Sequence, residues 1–320
     1  MKDEKDQREA YAADFAAIEG ELSRRRVPSL GAVRRTAMDA FVRMGFPNPA
    51  NESWRFTDAG RIAGIRFRHP ETSAPVDPGI LAPFSGLRAV LVNGRFEASM
   101  SLAGDAEGIE LMSLEDAARR FPRILEAELA RIADVAEHPF AALNTAFLSG
   151  GAFLRIRPGA AVREPIHLVH VVAGGEGPVL AQPRFLILAE EGSQASVVES
   201  YLEGSAAGPL LTNAVTEIRM APASNLEHCR VQGGASRGFH VGLVAVRQLR
   251  DSQYVSHAVT LGGDLVRNDL VVTLAEEGAS CKLNGLYVAG EARHVDNHTD
   301  VRHVRPRATI LELYKGILSD

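Results

Sequence analysis

Lysine is nearly absent from this 320-residue chain: Lys2, Lys5, Lys282 and Lys315 are all there are, and none follows a glycine. That excludes a G-x-x-x-x-G-K-[ST] phosphate loop. Cysteine is scarcer still. Cys229 and Cys281 are too few for a disulfide framework, and a four-cysteine metal site cannot come from this chain alone. No C-x-x-C, no H-E-x-x-H and no G-x-G-x-x-G opening a helix occurs. Aromatic residues make up 6% of the chain, a poor supply for stacking against sugars. No run approaches the roughly 18 apolar residues that span a bilayer. The start, MKDEKDQREA, alternates charges with no apolar stretch behind it, so no secretory signal is expected and a cytoplasmic location is. The formal charge of −5 argues against a general nucleic-acid binder.

What is present divides near Gly150, into residues 1–150 and 151–320. The first part begins with helices. Tyr11, Phe15, Ile18 and Leu22 recur at helical spacing and form one apolar stripe. A second helix follows Pro28-Ser29, with Val33, Ala37, Ala40, Phe41 and Met44 on one face and Gly45 then Pro47 ending it. The segment FPNPANESWRFTD reads as a loop leading to the sole tryptophan, Trp54. Arg88–Val92 reads as a strand, and Asn93-Gly94 after it as a hairpin turn. A third helix is expected over 113–133, capped by Ser113 with Asp116 and kinked or divided at Pro122.

From Gly150 onward helical periodicity gives way to short β-rich runs: FLRIR, HLVHVV, RFLILA, SVVESYL, AVTEIRM, HVGLVAV and DLVVTL. A turn followed by an outgoing strand recurs at Gly159, Gly192, Ser224, Ser252 and Gly278, at intervals of about 26 to 33 residues. A repeat of that size made of strands predicts a β-helix, whose coils bury their inner faces against one another. A β-sandwich is the competing architecture.

Candidate chemistry is sparse. Gly234-Ala235-Ser236-Arg237-Gly238 fits G-x-S-x-G, but a nucleophile elbow needs a helix after it, and GFHVGLVAVRQL alternates like a strand. His294, His298 and His303 lie close together, with Asp296 and Asp300 between them. On a strand, His294, Asp296, His298 and Asp300 share one face, which fits either a metal or proton-transfer site or a polar ladder in which Asp orients His. His167 and His170 face opposite sides of their strand. Cys281, with Cys229 in a similar place two repeats earlier, is either a small buried hydrophobe or a sulfur-handling group. The candidate metal ligands are therefore His294, His298 and Cys281, and no catalytic residue is assigned.

Several ordered motifs resemble those of the SufBD family of iron–sulfur cluster assembly proteins, its SufD branch most closely. Gly45-Phe46-Pro47 is followed by Glu52-Ser53-Trp54-Arg55-Phe56-Thr57, and then by Ala142-Leu143-Asn144-Thr145-Ala146-Phe147. Arg250-Asp251-Ser252, LGGDLVRNDL at 261–270, GLY at 285–287, HVDNHT at 294–299 and ELYKGIL at 312–318 complete the series. Glu52, Trp54, Arg55, Asn144, Asp296 and Tyr314 are the family-motif positions that the resemblance carries onto this chain. Ile310-Leu311 departs from it, since the family tends to have serines there.

The resemblance implies a right-handed parallel β-helix behind an N-terminal helical and mixed domain. It implies a non-catalytic scaffold that pairs with SufB through the β-helix and with the ATPase SufC. ATP would be bound by SufC and not by this chain. No intrinsic cofactor is expected, and an iron–sulfur cluster would be carried transiently by the complex. Family members would continue past Asp320, so the last coil is expected to expose unpaired backbone and apolar edges. Two other readings stand beside this one. One is a β-helix polysaccharide lyase or hydrolase recruiting Asp264, Asp269, Asp296 and Asp300; the other is a purely structural solenoid that never touches metal.

Overall fold

The computed structural model describes residues 2–25, 30–70, 75–106, 108–174, 177–204, 208–233, 238–290 and 293–319. Helices α1 (Lys2–Arg25) and α2 (Gly31–Met44) form where the apolar spacing places them. Tyr11, Phe15, Leu22, Ala37, Ala40 and Phe41 are buried, and Ile18 and Met44 pack beside them. Gly45 ends α2 at φ 71°, a conformation that favours glycine. The stretch before Trp54 is not all loop, since Glu52–Trp54 makes a single 3₁₀ turn. A short helix α3 (Gly60–Ala63) follows.

The helix expected over 113–133 is two helices, α4 (Leu114–Arg120) and α5 (Pro122–Glu128). The Asp116 amide donates to Ser113 Oγ at 3.0 Å, completing the cap. Pro122 has no N–H to give to α4, and it opens α5 instead. Continuation to Ala133 is prevented because the amides of Ala130, Arg131, Ile132 and Ala133 all donate to the Glu217 carboxylate. A further helix, α6 (Pro139–Ala146), carries the Ala142–Phe147 motif up to its end.

Strands β1 (Arg88–Val92) and β2 (Arg95–Phe96) form the expected hairpin. Asn93 and Gly94 take φ of 51° and 83°, the pattern of a type I′ turn. Strands β3 (Gly104–Ala106) and β4 (Ile109–Ser113) form a second hairpin. Then come β5 (Ala152–Ile156), β6 (Ile166–Val172), β7 (Val179–Ala181), β8 (Arg184–Ala189) and β9 (Gln194–Glu203). The remainder are β10 (Leu210–Met220), β11 (Asn225–Gln232), β12 (Gly238–Gln248), β13 (Gln253–Thr260), β14 (Leu265–Leu274), β15 (Ser280–Gly290), β16 (His294–His303) and β17 (Thr309–Ser319).

These strands make an eight-stranded sheet, β17-β15-β13-β11-β9-β6-β1-β2, and a nine-stranded sheet, β16-β14-β12-β10-β8-β5-β4-β3, with β7 beside β10. From β8 onward, consecutive strands alternate between the sheets and each pairs in parallel with the strand two places on. That pairing is a β-solenoid, the expected architecture, and it rules out an antiparallel sandwich. The sheets start before Gly150: β1 lies parallel to β6, and β4 lies antiparallel to β5.

Inward Ala, Val, Leu and Ile side chains stack as a continuous core between the sheets. The corners place Gly159, Gly192, Ala223, Asp251, Gly278 and Arg307 at φ between 56° and 77°. Two corner positions are therefore one residue earlier than the sequence suggests. Ser224 and Ser252 follow the left-handed residue and are buried. Each hydroxyl donates back to a carbonyl, of Ala221 and Leu249, at 2.7 Å. In the last coil Leu311, Leu313, Ile317 and Leu318 are exposed on β17.

Candidate functional site

The N-terminal segments cover the outer face of the nine-stranded sheet. Odd-numbered residues of β10, β12 and β14 point outward there, and Leu211, Phe239, Val241 and Leu265 cluster with Trp54, Phe140 and Phe147. Trp54 stacks on Phe140 with ring centroids 5.5 Å apart. Its other neighbour is the Arg267 guanidinium, 4.0 Å from the ring centroid. Arg267 is buried; it donates through Nε and Nη2 to the two Asp269 oxygens at 3.0 and 2.7 Å, and through Nη1 to Asp296 at 2.5 Å.

Asp296 also accepts from the Thr57 hydroxyl, and Thr57 Oγ1 lies 2.9 Å from His294 Nε2. His298 Nδ1 is 3.4 Å from Asp269 Oδ1. The parallel register aligns His294, Asp296 and His298 with Leu265, Arg267 and Asp269 on one face, as period-2 spacing requires. This seam ties the E-x-W-R-F-T segment to β14 and β16. Glu52 and Arg55 are exposed beside it, the Arg55 guanidinium lying over the Phe56 ring. Asp300 pairs with Arg302. Asp269 and Asp296 thus converge on a single arginine, and Asp300 on another.

Cys281 does not join the histidines. It lies on β15 in the other sheet, faces the bore, and is 4% exposed. Burial, with Glu312 adding, pushes its thiol up to about 12. Cys229 is not its counterpart. Cys281 aligns through Tyr254 with Leu226, while Cys229 aligns with His257 and points to the opposite, outer side. Among the described residues no group of three His, Cys, Asp or Glu side chains is placed to hold a metal ion. Gly234–Arg237 lie outside the described residues, and the element after them is the strand β12, not the helix an elbow needs.

Asn144 on α6 is fully buried. Its Nδ2 donates to the Pro183 and Asn213 carbonyls at 3.1 and 2.8 Å, and its Oδ1 accepts from Arg184 at 3.2 Å. Tyr314 is half-buried on β17 and lies over Gly285, where any Cβ would meet its ring. His167 and His170 do face opposite sides, the first half-exposed and the second buried in the bore.

A second polar cluster fills part of the bore, and the sequence reading missed it. Glu199 Oε2 accepts from Thr216 at 2.8 Å and lies 3.1 Å from His228 Nε2, while Tyr201 donates to Glu199 Oε1. Tyr254 stands 3.0 Å from His228 Nδ1. Burial opposes ionisation of Glu199, but the His228 hydrogen bond and the His228 and Arg230 charges outweigh it and hold the carboxyl down at about 2. Burial lowers His170 and His240 to about 3, so both are neutral at physiological pH. The signal was parity: His228, Arg230 and Gln232 share the even positions of Leu226, the inward face of β11.

The fold and these two clusters define a parallel β-solenoid clamped by an N-terminal helical segment. Two family models match it in tandem, the SufBD protein N-terminal region over residues 5–168 and the SUF system FeS cluster assembly SufBD core domain over 170–320. The chain belongs to the SufBD family. An iron–sulfur cluster assembly SufBD family protein of Synechocystis is 26% identical over 299 residues, covering 90% of this chain and 66% of that protein. The SufB protein of Bacillus subtilis is 26% identical over 220 residues, 67% of this chain and 45% of that one. A SufBD family protein of Mycobacterium tuberculosis is 29% identical over 184 residues, 58% and 43% of the two chains. The chain thus spans less than two thirds of the length of these relatives. No helix among the described residues is long and apolar enough to cross a membrane.

Proposed function

We propose that the chain is a non-catalytic scaffold of the SUF iron–sulfur assembly system, of the SufD kind, working in the cytoplasm. It pairs with a SufB-like solenoid and with the ATPase SufC, which binds the ATP. The cluster is cargo of the complex, held transiently and not as a resident cofactor. The observation that carries this reading is the tandem match of both SufBD regions, in order, across residues 5–320. The absence of a phosphate loop from the sequence is consistent with ATP being the partner's. His294 and His298 are proposed as the outer-face groups nearest to any metal chemistry, with Cys281 reserved for a state in which the last coils open.

Co-expression of the chain with SufB and SufC of the same genome, followed by affinity purification and iron and sulfide analysis, tests this. Co-elution of all three is the expected result. A chain that elutes alone while SufB and SufC still bind each other overturns it.

A further inference from the structure

Polar side chains gather on one side of the bore and leave a gap in their own hydrogen bonding. The parallel register sets Tyr201, Gln232 and Thr260 in one row across β9, β11 and β13. Thr212 and His240, neighbours on β10 and β12, face that row from the other sheet, the Tyr201 and His240 ring centroids being 4.7 Å apart. None of the five is more than 6% exposed. At one end of the row Tyr201 donates to Glu199, and at the other Thr260 Oγ1 accepts from Asn268 Nδ2 at 3.0 Å. Between them the bonding stops. Gln232 Oε1 and His240 Nε2 are buried without a hydrogen-bond partner, which is unfavourable at this depth.

The gap coincides with a cavity of about 30 Å³, lined in part by Tyr201, Thr212, Gln232, His240 and Gly263. A Cβ at Gly263 would lie 3.7 Å from Gln232 Nε2, so the amide end of Gln232 reaches that side of the cavity. A bound water needs about 10–15 Å³ of such space and roughly two to four polar partners. The cavity therefore has room for two.

We propose that this cavity binds two ordered waters, which join Gln232, His240 and Thr212 and carry the hydrogen bonding of the bore from Tyr201 to Thr260. Gln232 Oε1 only accepts, so its partner must donate, which a halide does not. A cation would satisfy that oxygen, but it would stand close to the Arg230 guanidinium. A Cβ at Gly242 would lie 2.8 Å from His240 Nε2 and 3.3 Å from Arg230 Nη1, so those two atoms are at most about 6 Å apart. An apolar occupant leaves both polar groups unmet. Water donates to Gln232 and either donates or accepts at His240 and Thr212. On this side of the bore the coils are then joined through exchangeable solvent, whereas at Leu226, Ile218 and Val246 they are joined by dry packing. The site rests on this geometry and not on the assembly reading, so a chain that failed to bind SufB or SufC would leave it standing.

The test uses the full 320-residue chain. A high-resolution crystal structure is expected to show two water peaks in the cavity, one within hydrogen-bond distance of Gln232 and one of His240. Crystals grown in rubidium bromide are expected to show no anomalous peak there. In solution, water-oxygen magnetic relaxation dispersion counts the long-lived waters. A Gln232→Met, His240→Phe double variant keeps a similar volume and removes both polar groups, so it should hold about two fewer than the unaltered chain. A rubidium or bromide peak in the cavity, a cavity without density, or an unchanged count in a double variant with a native circular dichroism spectrum overturns the proposal. Where the double variant does not fold, the crystals of the unaltered chain decide.

Discussion

Arg184 and Glu217 form an ion pair 2.5 Å long with neither side chain exposed, and Glu217 fixes the loop after α5 by accepting four of its amides. Arg184 in turn donates to Asn144 and Thr145 on α6. One carboxylate on the solenoid's outer wall thereby positions two N-terminal elements. Glu217→Ala leaves a buried guanidinium and four amides without their acceptor. A loss of about 3–5 kcal/mol in urea unfolding is expected. An Arg184→Met, Glu217→Leu double variant should lose less than the single one, because it removes both charges. Equal losses would show that the pair itself is not what Glu217 supplies.

The sole tryptophan makes the seam over β14 directly observable. Trp54 is 6% exposed between Phe140 and Arg267. Arg267→Met removes the cation from the ring face and the donors from Asp269 and Asp296. Those two carboxylates, now adjacent and without their shared cation, should loosen the 52–57 segment. Trp54 emission should shift to the red, and proteolysis near residues 55–70 should quicken by about tenfold or more. Unchanged emission would show that Trp54 is held by Phe140 alone.

Much of this was readable because strands alternate and coils repeat. The seven runs from FLRIR to DLVVTL fall in β5, β6, β8, β9, β10, β12 and β14, and the His294, Asp296, His298 face is as period-2 spacing requires. The seam was not readable, because Thr57 and Asp296 are separated by 239 residues and only the solenoid brings them together. The break at Glu128 was hidden for the same reason, since its cause is Glu217 in a distant strand. The corner shift at Ala223 and Asp251 has a local cause. A serine hydroxyl satisfying a turn carbonyl marks the residue after the left-handed one, and composition alone does not separate the two.

Corner stacking gives a prediction at Gly278. Its φ is 77°, and a Cβ would fall 2.0 Å from Asp251 Oδ1 in the preceding corner. Gly278→Ala should cost about 1–2 kcal/mol from backbone conformation alone. Ala223→Gly, at φ 56°, should change stability much less, as relief of strain offsets the greater freedom of the unfolded chain. Thermal unfolding of both variants decides whether the corners are specified residue by residue.

Acid should weaken the fold early. His170 and His240 are held near 3 against an ordinary 6.5, and burial holds His69 near 4. The unfolded chain takes up these protons as pH falls through about 6.5, while the folded chain refuses them until far lower. Their stabilisation is complete above 6.5 and is lost between 6.5 and about 3, by up to about 1.4 kcal/mol per pH unit for each imidazole. Glu199, near 2, adds a further loss below the ordinary carboxyl range. His240→Gln should flatten the slope of urea stability between pH 6.5 and 4, and an unchanged slope would remove His240 from the account.

The two cysteines should separate cleanly by reactivity. Cys229 is half-buried on the outer wall, and burial together with the Glu227 charge raises its thiol. Cys281 faces the bore with its thiol near 12, so both access and thiolate fraction are low there. A native chain treated with an aromatic disulfide reagent at pH 8 should titrate one thiol slowly, and Cys229→Ser should abolish that phase. The second thiol should appear only in denaturant, or at the rate at which the coil carrying β15 opens. That rate matters for the proposed assembly role. If Cys281 handles sulfur at all, the solenoid must part to expose it, so a partner that speeds its labelling without unfolding Trp54 would identify the opening motion. Prompt labelling of Cys281 in the isolated native chain would instead mean that the bore is already accessible and that no such motion is needed.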